Sequence, residues 1–540
     1  MTAAAATFPA AAPSRPATNK WLVTVSVTFG TLMGAIDASI VNVALPHLRG
    51  AVGATLQEIT WITTGFAIAT VIVMPLTAFL GRLFGQKRVY MASLALFVLA
   101  SALCGMASTL TQLVLFRVLQ GVGAGALQPT EQAILRQTFP PEEQGTAMAL
   151  FAMAVMIGPA VGPTLGGWIV DNFHWSWIFF INLPIGALGL TMVWRFVHEP
   201  EDVRAANAAG AAMQRKNMDW LGIALLAIGL AALQYLLEEG QQEDWFQSRL
   251  IVGCATVTVL ALALFVWREL AAPVPAVNVR LFKDKLFAAG SIIGAAMFAI
   301  LLSSMFLLPV FMQELLGFTA MQSGLALMPR TLVMMAVTPI VGRLYGRVSA
   351  RLLIGIGILL VAGGGIWLSN VTLQTTATGI THPIMLQGIG FSFLFVPLTT
   401  AALANVPRTK LADATGLNSL LRQVGASMGL AVFATLLSRY GVQAKAALAS
   451  HLTLDRPEVQ ERLAALLQGF QARGFDPVSA REMALRALDG LVTRQAMVIA
   501  FEQVLLLTGL LLLCVLPLLY FLEVKRHAPS SRPKHVEMEM

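Results

Sequence analysis

The sequence predicts an all-α polytopic membrane protein of about fourteen transmembrane helices, in two six-helix halves around two extra central spans. Three observations predict it. Charged residues make up 12% of the chain, about half the roughly 25% of a soluble domain. Hydrophobic residues make up 57% and mean hydropathy is +0.73, too apolar for a water-facing surface. Apolar runs of about 20 residues also recur along the chain, the length that crosses a ~30 Å hydrocarbon core.

The first six spans fall at roughly 21–45, 59–80, 89–108, 112–136, 146–170 and 175–195. Two more follow at roughly 220–237 and 250–267. The last six lie at roughly 287–312, 322–342, 352–369, 383–405, 413–437 and 497–521. The domains are then a disordered tail at 1–20, an N-terminal bundle at 21–200, two added spans with linkers at 201–280, a C-terminal bundle at 281–523 and a tail at 524–540. Residues 438–495 form a helix-periodic, mixed-charge insertion in the second bundle, either a solvated helical hairpin with no partner or a docking element for a periplasmic adaptor.

Alternate loops carry the basic residues, among them Arg82, Lys87, Arg88, Arg195, Lys283, Lys285, Arg343, Arg347, Arg351, Arg408 and Lys410. The opposite loops are acidic or neutral, as in "LEEGQQEDW". The excess of Lys and Arg on one side places both termini in the cytoplasm of a multi-pass inner-membrane protein, with the 438–495 insertion on the far side. The formal charge of +8 is explained by these loops, and nucleic acid is not an expected partner. Cys104, Cys254 and Cys514 sit in apolar runs, with neither a metal spacing nor a disulfide framework. No phosphate-binding G-x-x-x-x-G-K-[ST] loop, H-E-x-x-H or nucleophile triad occurs, so an ATP-driven pump and an intramembrane enzyme are both disfavoured.

An internal echo relates the halves. "PLTAFLGRLFGQKR" ends the second span and "TPIVGRLYGRVSAR" the tenth, both with G-R-L-[FY]-G followed by basic residues. Parallel six-span repeats are the construction of the major facilitator transporters.

Formal charge in hydrocarbon costs roughly 2.5–3.5 kcal/mol, so ionisable residues inside spans are functional candidates. Asp37 in span one and Arg117 in span four fall at similar depths and are expected to meet or to share a wet cavity. An adjacent cation favours a carboxylate anion, desolvation favours the neutral acid, and alternating access changes the balance. Asp37, Arg117 and Glu131 are therefore the proton-coupling candidates, the alternative for Asp37 and Arg117 being a static buried ion pair that holds the bundle. Glu131 has two readings, a second protonation site or a side chain that snorkels to the inner surface beside Arg136. Arg330, in span ten, suits an anionic substrate, a carboxylate partner or helix anchoring. Arg422 is expected to be an interface anchor. Gln120, Gln128, Met156, Phe306 and Phe391, with Arg330, are the expected substrate lining; Met153, Met305, Met312, Phe311 and Phe395 suit it equally.

Span five contains "MIGPAVGPTLGGWIV". Gly158, Gly162 and Gly166 recur every four residues, as do Pro159, Pro163 and Gly167, so each row lines one helix face. Small residues at this spacing let a second backbone approach, the main way lipid-embedded helices pack.

The chain resembles the major facilitator superfamily, specifically the fourteen-span drug:proton antiporters of the EmrB/QacA type. The resemblance rests on "LMGAIDASIVNVALP", "LFRVLQGVGAGALQP", "GPAVGPTLGG" and "WSWIFFINLPIG" in the first half. It continues through "VNVRLFKDKLF", "LALMPRTL", "FLFVPLTT" and "LRQVGASMG" in the second. It implies proton-driven efflux of hydrophobic drugs or toxic amphiphiles with no cofactor beyond the proton gradient. Asp37 would be the coupled acid and Arg117 its electrostatic controller. Gly158, Gly162, Pro163, Gly166 and Gly167 would form the antiporter motif. Gly85, Lys87, Arg88, Gly342 and Arg343 would form the cytoplasmic gate. A periplasmic adaptor and an outer-membrane channel would be partners, besides substrate, protons and lipid. One departure is plain: Ala78 and Arg82 stand where the family's first cytoplasmic loop has Gly and Asp, so the usual acidic anchor of the gate is missing from this loop. A proton-coupled carrier of one metabolite, siderophore or fatty acid, and a non-transporting sensor, are the alternatives.

Overall fold

The computed structural model describes residues 19–199, 204, 211, 218–453 and 455–522. Both expected tails, and most of the basic loop after span six, lie outside the described residues apart from the last residues of the first tail. Fourteen helices are long and apolar enough to cross a membrane, and the described residues contain no strand.

In the first half these are α1 (Lys20–Val52), α2 (Leu56–Phe84), α3 (Gln86–Gly105), α4 (Leu110–Thr138), α5 (Gln144–Asn172) and α6 (Trp177–Phe196). The added pair is α7 (Trp220–Glu239) and α8 (Arg249–Ala271). The second half holds α9 (Lys285–Val310), α10 (Ala320–Leu344), α11 (Ala350–Leu368), α12 (Ala377–Ala401) and α13 (Leu411–Ser450). A short α14 (Pro457–Gln471) precedes the last span, α15 (Pro477–Cys514).

Local chemistry sets many of these ends. Thr55 caps α2 and Thr319 caps α10, each in a capping box with Glu58 or Gln322. Prolines inside α1, α2, α4, α9, α10 and α12 leave the helices continuous, as neighbouring helices allow in a membrane. The expected ends differ most where a helix leaves the hydrocarbon. α1 runs to Val52, and α13 and α15 continue without a break into the 438–495 region. Residues between the two apolar runs are helix-periodic, so the chain has no reason to stop the helix where hydropathy falls. Only α14 is a separate helix there, and Lys445 and Asp489 form an ion pair of 2.8 Å between the two extensions.

The first six and the last six spans meet at two matching contacts. α10 ends against the start of α5, where Gly342 lies backbone to backbone with Gly145. In the matching place α2 ends against the start of α13, where a Cβ on Gly416 would sit 2.9 Å from the Met74 carbonyl oxygen. Both meetings lie at the end that carries the basic loops. Along one side of the seam α7 touches both halves. Glu239 accepts hydrogen bonds from Thr60 and Thr64 of α2 at 3.4 and 3.3 Å, and Gln234 donates to Ser427 of α13 at 2.9 Å. Trp194, Trp220 and Trp267 are exposed at the basic end, where aromatic side chains favour the membrane interface.

Candidate functional site

The strongest polar constellation inside the first bundle surrounds Asp37. Arg117 Nη1 lies 2.6 Å from Asp37 Oδ2. Gln120 Nε2 and Asn182 Nδ2 each donate to Asp37 Oδ1 at 2.9 Å. Arg117 also donates to Gln120 Oε1 at 2.7 Å and to the Ile62 carbonyl at 3.3 Å, and its guanidinium lies 4.2 Å from the centre of the Phe66 ring. Asn182 donates further to Ser101, whose hydroxyl donates to the Phe179 carbonyl. Asp37 is 0% exposed and Arg117 1%. A buried carboxylate survives only when paired and hydrogen-bonded, and three donors from α4 and α6 do that here.

The glycine row of α5 stands behind this acid. A Cβ on Gly158 would collide with the Ala35 backbone, one on Gly162 would lie 2.7 Å from Ser39 Oγ, and one on Gly166 would meet Ile40 Cα at 3.2 Å. Ala35 and Ser39 flank Asp37 on α1, so the close-packed face and the acid share one stretch of helix. Gly167 has open space instead.

Glu131 does not snorkel. It is 0% exposed, accepts a hydrogen bond from Thr28 at 3.1 Å, and leaves Oε2 with no partner. It lies apart from Asp37, since Thr28 is nine residues before Asp37, roughly 14 Å along α1. Arg136, its expected neighbour at the surface, is 3% exposed and crosses the seam, donating to the Thr400 and Leu403 carbonyls at 3.1 and 2.8 Å.

The gate residues separate into two groups. Gly342 is at the seam, whereas Gly85 and Lys87 hold their own bundle together. Gly85 has φ +88° and lies close under the Glu199 carboxylate, which accepts from Lys87 N at 2.7 Å. Arg88 and Arg343 are exposed. The acid missing at position 82 is supplied from the other half: Arg82 Nη1 binds both oxygens of Asp413, at 2.8 and 2.9 Å, and Nη2 reaches the Pro275 and Ala276 carbonyls. The family's carboxylate is absent from this loop, yet a carboxylate is present at the contact, on the start of α13.

The expected lining residues do not share one surface. Gln120 belongs to the Asp37 network. Met156 and Phe391 are buried, Gln128 is half-buried, and Phe306 is 51% exposed. Arg330 is 1% exposed and donates to Ser304 Oγ at 2.6 Å, with no ion-pair partner among the described residues. Arg422 overturns its expected role as an interface anchor. It is 4% exposed and lies against Phe151, Phe298 and Phe395 at the seam. Asn182, Ser101 and Asp413 escaped the sequence reading altogether; the lone amide in the apolar "WIFFINLPIG" run was the one signal for Asn182.

Comparison with known proteins decides the family. The family model described as Major Facilitator Superfamily matches residues 27–430. The chain belongs to the major facilitator superfamily. As a superfamily member it is a transporter rather than an enzyme. It is 32% identical to the Fatty acid resistance protein FarB of Neisseria gonorrhoeae, over 96% of this chain and 98% of that protein. It is 36% identical to the Multidrug export protein EmrB of Haemophilus influenzae, over 76% of this chain and 78% of that one. The Multidrug export protein EmrB of Escherichia coli K12 is 31% identical over 93% of this chain and 94% of its own length. Among solved structures, the superfamily proton:xylose symporter XylE aligns with a TM-score of 0.57 at 12% identity, covering 91% of this chain and 94% of that one. Human MFSD10 aligns at 0.56 and 14% identity, over 92% and 100%. These two likenesses are of fold.

Proposed function

We propose that this superfamily member exports hydrophobic drugs or toxic amphiphiles across the bacterial inner membrane in exchange for protons, by alternating access. The observation that carries the reading is the buried Asp37–Arg117 pair set against the close-packed α1–α5 face. Asp37 lies inside the first bundle, so it acts on the seam through α1 and α4 and does not grip cargo itself. A proton on Asp37 removes the counter-charge of Arg117, and the network with Gln120 and Asn182 must rearrange. Glu131, with one unpartnered oxygen on the same two helices, is the second proton site. The names of the EmrB and FarB relatives support drug or fatty-acid efflux, and the same relatives support a bacterial inner-membrane setting.

The basic end is taken as cytoplasmic by the positive-inside rule. The closed contacts at Gly145–Gly342, Arg136 and Arg82–Asp413 then seal the cytoplasmic side. Energy is sufficient: one charge through about 100 mV supplies roughly 2.3 kcal/mol, a gradient of about forty-fold. The paired extensions of α13 and α15 with α14 are the proposed dock for a periplasmic adaptor leading to an outer-membrane channel.

The test is flux in proteoliposomes under an imposed pH gradient. An exporter of this kind moves substrate against the proton flow. Movement with the protons identifies an importer of a metabolite, siderophore or fatty acid, and no movement identifies a sensor.

A further inference from the structure

Arg422 is a buried cation without a counter-charge among the described residues. Its guanidinium carbon lies 5.3 Å from the Phe298 ring centre, 5.7 Å from Phe395 and 6.0 Å from Phe151. Nη2 is 3.3 Å from Ser419 Oγ, and Nη1 is buried with no hydrogen-bond partner. No carboxylate pairs with it among the described residues. Asp413, on the same helix, is committed to Arg82, and Asp37 to Arg117. Arg330, another buried cation of the second half, also has no ion-pair partner among the described residues. The second half therefore buries two cations with no carboxylate partner among the described residues.

Position matters as much as charge. Arg422 lies nine residues beyond Asp413 on α13, roughly 14 Å deeper than the closed contact at the basic end. Phe151 comes from α5 of the first half, whereas Phe298 and Phe395 come from α9 and α12 of the second. The three rings form one cluster, with Phe395 5.7 Å from Phe298 and 6.1 Å from Phe151. The arginine stem runs past Gly294 of α9, 3.7 Å from where a Cβ there would be, an ordinary packing contact. Ring faces stabilise the empty guanidinium and also offer flat apolar walls to a guest. Separation of the halves removes Phe151 from the cage, so occupancy is tied to the transport cycle.

We propose that Arg422 and its three phenylalanines form the headgroup subsite of the transport path, selective for amphiphiles that carry a single negative charge on an oxyanion such as a carboxylate. One guanidinium matches one carboxylate in a forked pair of hydrogen bonds, and the aromatic walls take the adjoining apolar body. This rests on the export reading above for its place in transport, but its test does not use transport.

The experiment is equilibrium binding of 4-butylbenzoate and its neutral counterpart 4-butylbenzamide to the purified full-length protein in lipid nanodiscs, with empty nanodiscs subtracted and no gradient imposed. The wild type should favour the anion by about thirtyfold, the lower range for one partner of a desolvated charge pair. Arg422→Gln should bring the ratio close to one, and Arg422→Lys should leave it intermediate. A wild type that binds both probes equally overturns the proposal, whether or not the variants fold. So does a monodisperse Arg422→Gln protein that keeps the full preference. If the preference holds but uphill flux is absent, the subsite stands and the export reading fails; the reverse result separates them the other way.

Discussion

Gly158 of α5 lies directly against the backbone of Ala35 on α1, with no room for a Cβ between them. The contact places two helix backbones side by side two residues before Asp37. Gly158→Val is expected to destabilise the protein by about 1–3 kcal/mol, the range for overpacking, and to abolish transport. Gly167→Ala, into open space on the same helix, should keep both. Thermal unfolding and flux of the two variants check this; equal tolerance of both would remove the close-packed face from the account.

Arg82 and Asp413 make the same cross-seam contact that a reversed pair would make. Arg82→Asp alone places two acids together and should open the basic end, with a penalty of about 1–3 kcal/mol on the closed state. Arg82→Asp combined with Asp413→Arg should recover at least half of the lost transport. Spin labels at positions 142 and 343, both exposed at this end, measure the opening. A double variant as open as the single one would show that the pair does not hold the seam.

Much of this was legible in the sequence, and the failures have physical reasons. Span number followed from run length, because a helix is the structure that satisfies its own backbone in lipid. Asp37 and Arg117 stood out as charges in apolar helices. The Arg82–Asp413 contact spans 331 residues, and no local pattern links them. Arg422 was misread because the polar row Thr415, Asn418, Ser419 and Arg422 marks one face of α13, but spacing alone does not say whether that face meets the membrane surface or the seam. Gln120 was read as lining because a lone amide in a span does not name its partner; only the fold shows that its amide turns to Asp37.

The helical extension makes a separable prediction. Replacing residues 453–476 by a short flexible link removes α14 but keeps α13 and α15 through the membrane. Flux in proteoliposomes should be unchanged, and resistance of intact cells should fall. Equal resistance with and without α14 would refute adaptor docking at this element.

Asp476 caps the start of α15, accepting from Val478 N and Ser479 N at 3.0 and 2.9 Å. The Ser479 backbone bond, then the Ser479 hydroxyl, hold its carboxyl below the usual 3.8. A depressed acid stabilises the fold above its unfolded value, and this is lost as pH falls through the folded one. Amides at 478–482 should exchange as slowly, after correction for intrinsic rate, at pH 5 as at pH 7, and faster only below about 3.8. Asp476→Ala should exchange fast at every pH.

The central claim is that Asp37 couples protons to cargo, and Asp37→Asn tests it most directly. Asparagine keeps the size and one acceptor oxygen but cannot take up and release a proton. Reconstituted Asp37→Asn protein that binds substrate normally should show no substrate movement driven by an imposed pH gradient, where the wild type pumps. Gradient-driven uphill flux at the wild-type rate in that variant would contradict the account.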